Sequence, residues 1–450
     1  MIKKTISTII CILIVISACA PVFARDFGFN LDTVSNEVYL LNLDTDEVIF
    51  QKNADVQVHP ASTTKIMTAA LAMELCSDLK GTLVTVPLDV WAEFDGLDVS
   101  TSGLVAGEEL SMYDLICCMM IQSGNEAAST VRDYYGGAAF IDMMNSKAQE
   151  LGCVNTHFTN PSGVFIADHY STAHDLAIIT EWALGIPGFW EISQMARYTK
   201  AATNKNAEVT LATTVLMQDP NSGYYTPYIK GIKTGTTDEA GRCFVSAAQK
   251  NGMNYLLVIL GAPFEPDGRI WGSGQSAFTE TRLIYDWAFD NLDMMNICDL
   301  DTIYAEIELK HASKKDSLVL YPEIELYTVY NKNSETPPAV VYEPSVPEFI
   351  NAPVAAGQVI GSMRVIVDGE TVDEIPLVSR EAIELDRFVL LMDSISRLLT
   401  STTAKIIYAI LLLFVALYLY YALVIVPASQ RNRKRRKKKG RGNSSNRRKP

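Results

Sequence analysis

The chain reads as an α/β protein in which helices cover an antiparallel sheet, followed by a small all-β domain and a C-terminal transmembrane helix. Three observations predict this. Strand-like alternation lies at both ends of residues 25–295, with helical periodicity between. From about residue 300 short strand-like runs and clustered prolines replace that pattern. Residues 406–426 then carry no charge, and at 1.5 Å per residue they span about 32 Å, enough to cross a bilayer.

The elements follow in order. Residues 1–24 have the layout of a secretory signal peptide: Lys3 and Lys4, an apolar run from Ile9 to Ile16, and Val22-Phe23-Ala24 suited to cleavage. Ile16-Ser17-Ala18-Cys19 is an alternative, lipoprotein-like cleavage box. Val38–Asn42 and Val48–Gln51 alternate around Asp44-Thr45-Asp46, which predicts a hairpin. Ser62–Cys76 and Met112–Met120 are apolar helical runs, and Ser171–Leu184 is a third with Ser171 or Thr172 at its cap. Tyr228–Thr236 reads as a strand. Cys243–Ala248 and Tyr255–Leu260 follow, joined across Asn251-Gly252, a strong hairpin turn. The all-β domain covers 300–380, with Asp368-Gly369 marking another hairpin; it carries no catalytic set and reads as a spacer. Residues 381–403 resume helical spacing (Ile383, Phe388, Leu391, Ile395, Leu398), as an amphipathic helix does at a membrane surface. The transmembrane helix occupies 406–426 and a basic tail 427–450.

Charge separates these parts. Of 38 basic and 52 acidic residues, 12 Lys and Arg lie between Arg431 and Lys449. Residues 1–430 therefore hold 26 basic against 52 acidic, a net −26. So acidic a body disfavours nucleic acid as a partner. A basic run beside a membrane span reads as the cytoplasmic stop that sets orientation, with the body on the extracytoplasmic side. Two of the eight cysteines fall in the signal segment. The other six sit mostly in apolar contexts without a C-x-x-C pair, and read as buried thiols with no metal or cofactor implied.

Three short motifs carry the chemistry: Ser62-Thr63-Thr64-Lys65, Ser123-Gly124-Asn125 and Lys233-Thr234-Gly235. Each is weak alone. A second S-x-x-K stands at Ser77–Lys80, and an S-x-N recurs at Ser444–Asn446. Ser62 by itself reads rather as an N-cap, with Lys65 a solvated first-turn residue. The ordered trio, led by Pro60-Ala61, points instead to a serine acyl-transfer enzyme with lysine as proton handler. Three residues apart at a helix start, Ser62 and Lys65 share a face. Lysine serves as a base only when burial or a neighbouring cation lowers its pKa, and Lys233 is the candidate cation. Ser123 and Asn125 are placed to relay a proton to the leaving amine and to hold the substrate amide. Lys233, Thr234 and Thr236 suit a substrate carboxylate, and Gly235 leaves room for the substrate backbone. The backbone N–H groups of Ser62 and Thr236 are natural oxyanion donors. The five histidines, His59, His157, His169, His174 and His311, fit no hydrolase-triad or zinc-protease motif; His169 and His174 read as structural.

His59-Pro60-Ala61-Ser62-Thr63-Thr64-Lys65-Ile66-Met67-Thr68-Ala69 resembles the nucleophile segment of the serine-type D-Ala-D-Ala carboxypeptidases, the low-molecular-mass penicillin-binding proteins. Ser123–Ala127 and Lys233–Thr237 resemble the family's second and third motifs. Asn160–Gly163, His169–Thr172 and Ala240–Phe244 are further family-like stretches, and the likeness runs from about 30 to 380. The resemblance implies a penicillin-recognising serine transpeptidase/β-lactamase-like fold. It also implies removal of the terminal D-alanine from peptidoglycan stem pentapeptides through an acyl-enzyme, with β-lactam antibiotics as covalent inhibitors. Carried over, Ser62 is the nucleophile, Lys65 its base and Ser123 the proton relay. Asn125, Lys233, Thr234, Gly235 and Thr236 hold substrate. A DD-endopeptidase, a β-lactamase and a non-catalytic penicillin-binding scaffold are the alternatives. Well-known relatives end in an amphipathic helix on the membrane, whereas here a full span and a basic tail follow.

Overall fold

The structure, a computed structural model, describes residues 25–264 and 276–442. The expected signal peptide, the Cys19 box and the S-x-N at Ser444–Asn446 lie outside these residues. Seventeen strands are present among them: β1 (Glu37–Asn42), β2 (Val48–Lys52), β3 (Leu83–Thr85), β4 (Glu109–Ser111), β5 (Arg197–Lys200), β6 (Val209–Ala212), β7 (Lys233–Thr237), β8 (Gly241–Lys250), β9 (Met253–Ala262), β10 (Leu292–Cys298), β11 (Ala305–Lys310), β12 (Ser317–Pro322), β13 (Leu326–Asn331), β14 (Val340–Ser345), β15 (Phe349–Asn351), β16 (Val359–Val367) and β17 (Glu370–Val378). The helices are α1 (Lys65–Leu75), α2 (Met112–Ile121), α3 (Asn125–Tyr134), α4 (Ala138–Glu150), α5 (Ala173–Leu184), α6 (Phe189–Ser193), α7 (Ser276–Asn291), α8 (Arg387–Thr400), α9 (Thr402–Tyr420) and α10 (Val426–Gly442).

The first unit is built on one antiparallel sheet of order β2-β1-β9-β8-β7. β1 pairs with β9 along its whole length, so the start and the end of the unit meet at the sheet centre. Period-2 alternation then divides two cores. Tyr39, Leu41, Val245, Leu256 and Val258 face a core shared with α1, α2 and α5. Val38, Leu40, Phe244, Tyr255 and Leu257 face a second core built on α7. The Asn251-Gly252 turn has positive φ at both residues (56° and 82°), the geometry that two-residue hairpins require. Thr172 caps α5 by accepting from the Asp175 N–H at 3.0 Å.

Strand β7 starts later than the run at 228–236 suggests. Gly231, with φ 103°, turns the chain, and only Ile229 bridges to Ala248 before it. Leu326–Asn331 does not join the sheet of the all-β region. It pairs with β10 as a separate ribbon, and residues 325–341 and 366–372 group with the first unit. A six-stranded sheet of order β14-β16-β17-β12-β11-β15 forms the remaining β structure. Asp368 and Gly369 turn β16 into β17 with φ of 54° and 90°.

Within the second unit α8 begins at Arg387, not near 381. Ile383 is still extended and bridges Val354, and Asp386 caps the helix by accepting from Phe388 and Val389 N–H. Phe388, Leu391, Ile395 and Leu398 are all exposed along one face. A further cap, Ser401, separates α8 from α9. Pro427 does not end the helix. A π-helical turn at Tyr421–Ile425 precedes it, and α10 continues beyond; such a turn accommodates a ring that would clash with the carbonyl four residues back. Thr402–Lys434 is the one stretch among the described residues long and apolar enough to cross a membrane, and it is a candidate anchor. The six described cysteines are free, five of them buried and Cys76 partly exposed.

Candidate active site

Pro60 leads into one 3-10 turn, Ala61–Thr64, and α1 starts at Lys65. This puts Ser62 and Lys65 on one face, with Ser62 Oγ 2.9 Å from Lys65 Nζ. The turn is pinned from within: Thr63 Oγ1 donates to Pro60 O (2.6 Å) and Thr64 Oγ1 to Ala61 O (2.9 Å). His169 props it from below. Its Nδ1 accepts from the Thr159 N–H (3.1 Å), so Nε2 carries the proton and donates to Thr64 Oγ1 at 2.9 Å. Burial pulls this imidazole down to about 3, which keeps it neutral.

Lys65 is fully buried at the head of a helix whose other residues are nearly all buried. Besides Ser62, its Nζ donates to Asn125 Oδ1 (2.8 Å) and to Ser162 O (2.7 Å). The Asn125 amide is oriented, because its Nδ2 donates to Ser100 O at 3.0 Å. Two of the three partners can only accept. A neutral lysine has two N–H donors and one lone pair. The donors go to Asn125 and Ser162, which leaves the lone pair aimed at the Ser62 hydroxyl. The Lys65 pKa is held well below its usual value, chiefly by burial and then by the Lys233 charge, with Glu126 opposing.

Lys233, on edge strand β7, is equally buried. Its Nζ donates to Ser123 Oγ (2.9 Å) and Thr234 O (2.9 Å). Burial lowers it to about 7. Repulsion between the two ammonium groups is mutual and disfavours both being charged at once. Ser123 sits at φ 62° in the short link between α2 and α3, which turns its hydroxyl toward Lys233. Thr234 Oγ1 donates to Thr214 Oγ1 (2.7 Å), and Thr236 Oγ1 donates to Gly235 O (2.7 Å) on an exposed residue.

Gly235 is required by a close approach. A Cβ there would lie 2.9 Å from Ser62 N, 3.0 Å from Ala61 Cβ and 3.1 Å from Pro60 O. β7 and the Ala61–Thr64 turn thus touch backbone to backbone. Gly235→Ala is expected to push them apart by a few tenths of an ångström and slow acylation of Ser62 about tenfold to a hundredfold, as read from labelling rates with a serine-directed acylating probe. Gly163, at φ 80°, is tighter still: a Cβ would fall 1.8 Å from Ala61 O.

The structure therefore brings Ser62, Lys65, Ser123, Asn125 and Lys233 together, with Thr234, Gly235 and Thr236 along the adjoining strand. The second S-x-x-K lies apart, Ser77 and Lys80 both being exposed in the turn after α1. Sequence reasoning assigned no part to Ser162, Glu126 or Thr214. The signal for the first was present in Asn160-Pro161-Ser162-Gly163. Asn160 Oδ1 accepts from Ser162 N–H (3.1 Å) and Gly163 N–H (2.7 Å), and this turn presents the Ser162 carbonyl to Lys65. Among the described residues no His, Cys, Asp or Glu group could hold a metal.

Comparison with known proteins adds the following. The peptidase S11 family, D-alanyl-D-alanine carboxypeptidase, matches residues 29–264. The C-terminal domain of penicillin-binding protein 5 matches residues 295–385. D-alanyl-D-alanine carboxypeptidase DacF of Bacillus subtilis is 27% identical over 395 residues, 86% of this chain and 96% of its own. DacA of Escherichia coli is 27% identical over 361 residues, covering 78% of this chain and 83% of its own. Penicillin-binding protein 5 from Haemophilus influenzae superposes with a TM-score of 0.63 at 23% identity, over 79% of this chain and 99% of that one, a likeness of fold. The Streptomyces K15 DD-transpeptidase superposes with a TM-score of 0.51 at 26% identity, over 58% of this chain and 99% of its own.

Proposed function

Because the chain belongs to the peptidase S11 family of D-alanyl-D-alanine carboxypeptidases, we propose that it removes the terminal D-alanine of peptidoglycan stem pentapeptides through an acyl-enzyme on Ser62. The observation that carries this reading is the 2.9 Å contact of Ser62 Oγ with a fully buried Lys65. Neutral Lys65 takes the Ser62 proton as Oγ bonds to the penultimate D-alanine carbonyl carbon. The oxyanion is met by the N–H groups of Ser62 and Thr236. Ser123, its hydroxyl held by the Lys233 ammonium, relays the proton taken up by Lys65 to the departing amine as the C–N bond breaks, so D-alanine leaves and Lys65 is neutral again. Asn125 holds the substrate amide. Lys233, with the Thr234 and Thr236 hydroxyls, holds the terminal carboxylate beside the Gly235 backbone. Water, deprotonated by Lys65, then cleaves the ester and restores Ser62. A β-lactam carries a strained amide and a carboxylate in the same relation, so penicillin acylates Ser62 as a substrate mimic. No cofactor enters these steps.

The same reading places residues 1–24 as a removed signal peptide, with the catalytic body extracytoplasmic. Within the helical stretch Thr402–Lys434, residues 406–426 are the single membrane span, and the basic tail 427–450 is cytoplasmic. An exported, membrane-tethered hydrolase is thereby held where cell-wall stem peptides lie.

D-alanine release from a synthetic stem pentapeptide by the full-length protein in detergent tests the activity; absence of release would contradict it. Its pH dependence follows from the two lysines. Lys65 works only when neutral, so kcat/KM falls as acid protonates it. Lys233 works only when charged, so kcat/KM falls again as pH rises through about 7. A bound substrate carboxylate stabilises the Lys233 ammonium, so the alkaline limb of kcat is expected at higher pH than that of kcat/KM. Coincident alkaline limbs would count against Lys233 as the carboxylate holder.

A further inference from the structure

Glu126 is fully buried one residue beyond Asn125. Its Oε1 accepts from Thr101 Oγ1 (3.0 Å), Ser102 N–H (2.7 Å), Ser102 Oγ (2.7 Å) and Leu104 N–H (3.3 Å). Its Oε2 is buried with no hydrogen-bond partner among the described residues. Every group that contacts the carboxyl donates to it, and a proton on Oε2 would meet no acceptor there. The same side chain closes the space behind Gly124, where a Cβ would fall 2.6 Å from Ser102 Oγ and 3.2 Å from Glu126 Oε2. The carboxylate thus ties the 101–104 segment to the first turn of α3. That turn carries Asn125, and Asn125 touches Lys65.

Four donors on one oxygen exceed what a loop staple needs, and a buried charge is costly unless another charge answers it. Three elements bring titratable groups to the surroundings of Lys65. Lys233 on β7 repels its ammonium, Glu126 on α3 attracts it, and His169 beneath the nucleophile turn is neutral. We propose that Glu126 is a positioning residue for the acylation step, fixing Asn125 against Lys65 and supplying the one negative charge that offsets Lys233 at the general base. Without it the two buried lysines would face each other uncompensated. With it, Lys65 is tuned to a value between a solvated lysine and one exposed to Lys233 alone. The inference rests on Lys65 acting as the base.

Glu126→Gln isolates the charge. An amide whose nitrogen takes the Oε2 position keeps Oε1 free for all four donors. Ser102→Ala does the reverse, dropping one loop contact and keeping the charge. The readout is the pH dependence of penicillin acylation by the full-length protein in detergent, with thermal unfolding measured alongside. Loss of the negative charge lowers the Lys65 pKa, so the acid limb of Glu126→Gln is expected to move down by roughly one pH unit. That of Ser102→Ala is expected to stay where the wild type has it, whatever its rate. If Glu126→Gln does not fold, Glu126→Asp keeps the charge and must keep the limb. An unmoved limb in Glu126→Gln, with the rate lower by one factor at every pH, overturns the proposal and leaves Glu126 a loop staple. A limb displaced in Ser102→Ala or Glu126→Asp as far as in Glu126→Gln also overturns it. A wild type with no acid limb overturns this proposal and the base assignment together.

Discussion

Ser62→Ala is expected to lower D-alanine release by about 10⁴-fold or more and to abolish covalent labelling by penicillin. The reason is chemical, since no other hydroxyl occupies the end of the Lys65 lone pair. Asn125 Oδ1 and Ser162 O take the two remaining donors of a neutral amine. The other serine hydroxyl of the trio, that of Ser123, is engaged by Lys233 at 2.9 Å. The fold should be little affected. Ser62 is partly exposed, and the nucleophile turn is held by Thr63, Thr64 and His169 rather than by the Ser62 side chain. The stability change should therefore stay within about 1 kcal/mol. Thermal unfolding beside the labelling assay separates a lost bond from a lost fold; labelling that persists in Ser62→Ala would remove Ser62 as the nucleophile.

Lys65→Arg is expected to cost about 10²–10⁴-fold in acylation while preserving positive charge. This separates a base from a mere cation. A guanidinium stays protonated throughout the accessible pH range and has no lone pair for the Ser62 proton. It is also larger, at a position where the lysine side chain is fully buried. Lys65→Met removes the charge as well and leaves Asn125 Oδ1 and Ser162 O without their donor, so it should additionally lower the thermal midpoint. If Lys65→Arg acylated at the wild-type rate, the lysine would be acting through its charge, and the proton would have to leave Ser62 by another route.

The parts of this site that were legible in the sequence are those with fixed local spacing. Ser62 and Lys65 are coupled by a single helical turn. The Asn251-Gly252 and Asp368-Gly369 hairpins announce themselves through residues that tolerate positive φ. The near-continuous apolar runs of β8 and β9 follow from a sheet covered on both faces. Long-range partners left no such mark. Ser162 meets Lys65 across 97 positions and Lys233 meets Ser123 across 110, and no local pattern encodes those meetings. Glu126 stood only as one member of the Ser123–Ala127 stretch; its burial and its four donors are what distinguish it. Leu326–Asn331 alternated like its neighbours, and its pairing with β10 depends on a partner some thirty residues back. The helix continuing through Pro427 into the basic tail likewise has no local mark, since a π turn carries the chain past the proline.

The central claim is a covalent acyl-enzyme on Ser62. Its most direct test is mass spectrometry of the full-length protein after brief reaction with penicillin at a pH between the two limbs, followed by tryptic mapping. The account predicts a penicilloyl adduct confined to the peptide from Asn53 to Lys65, absent in Ser62→Ala. An adduct on any other peptide, or one that survives in Ser62→Ala, would contradict it.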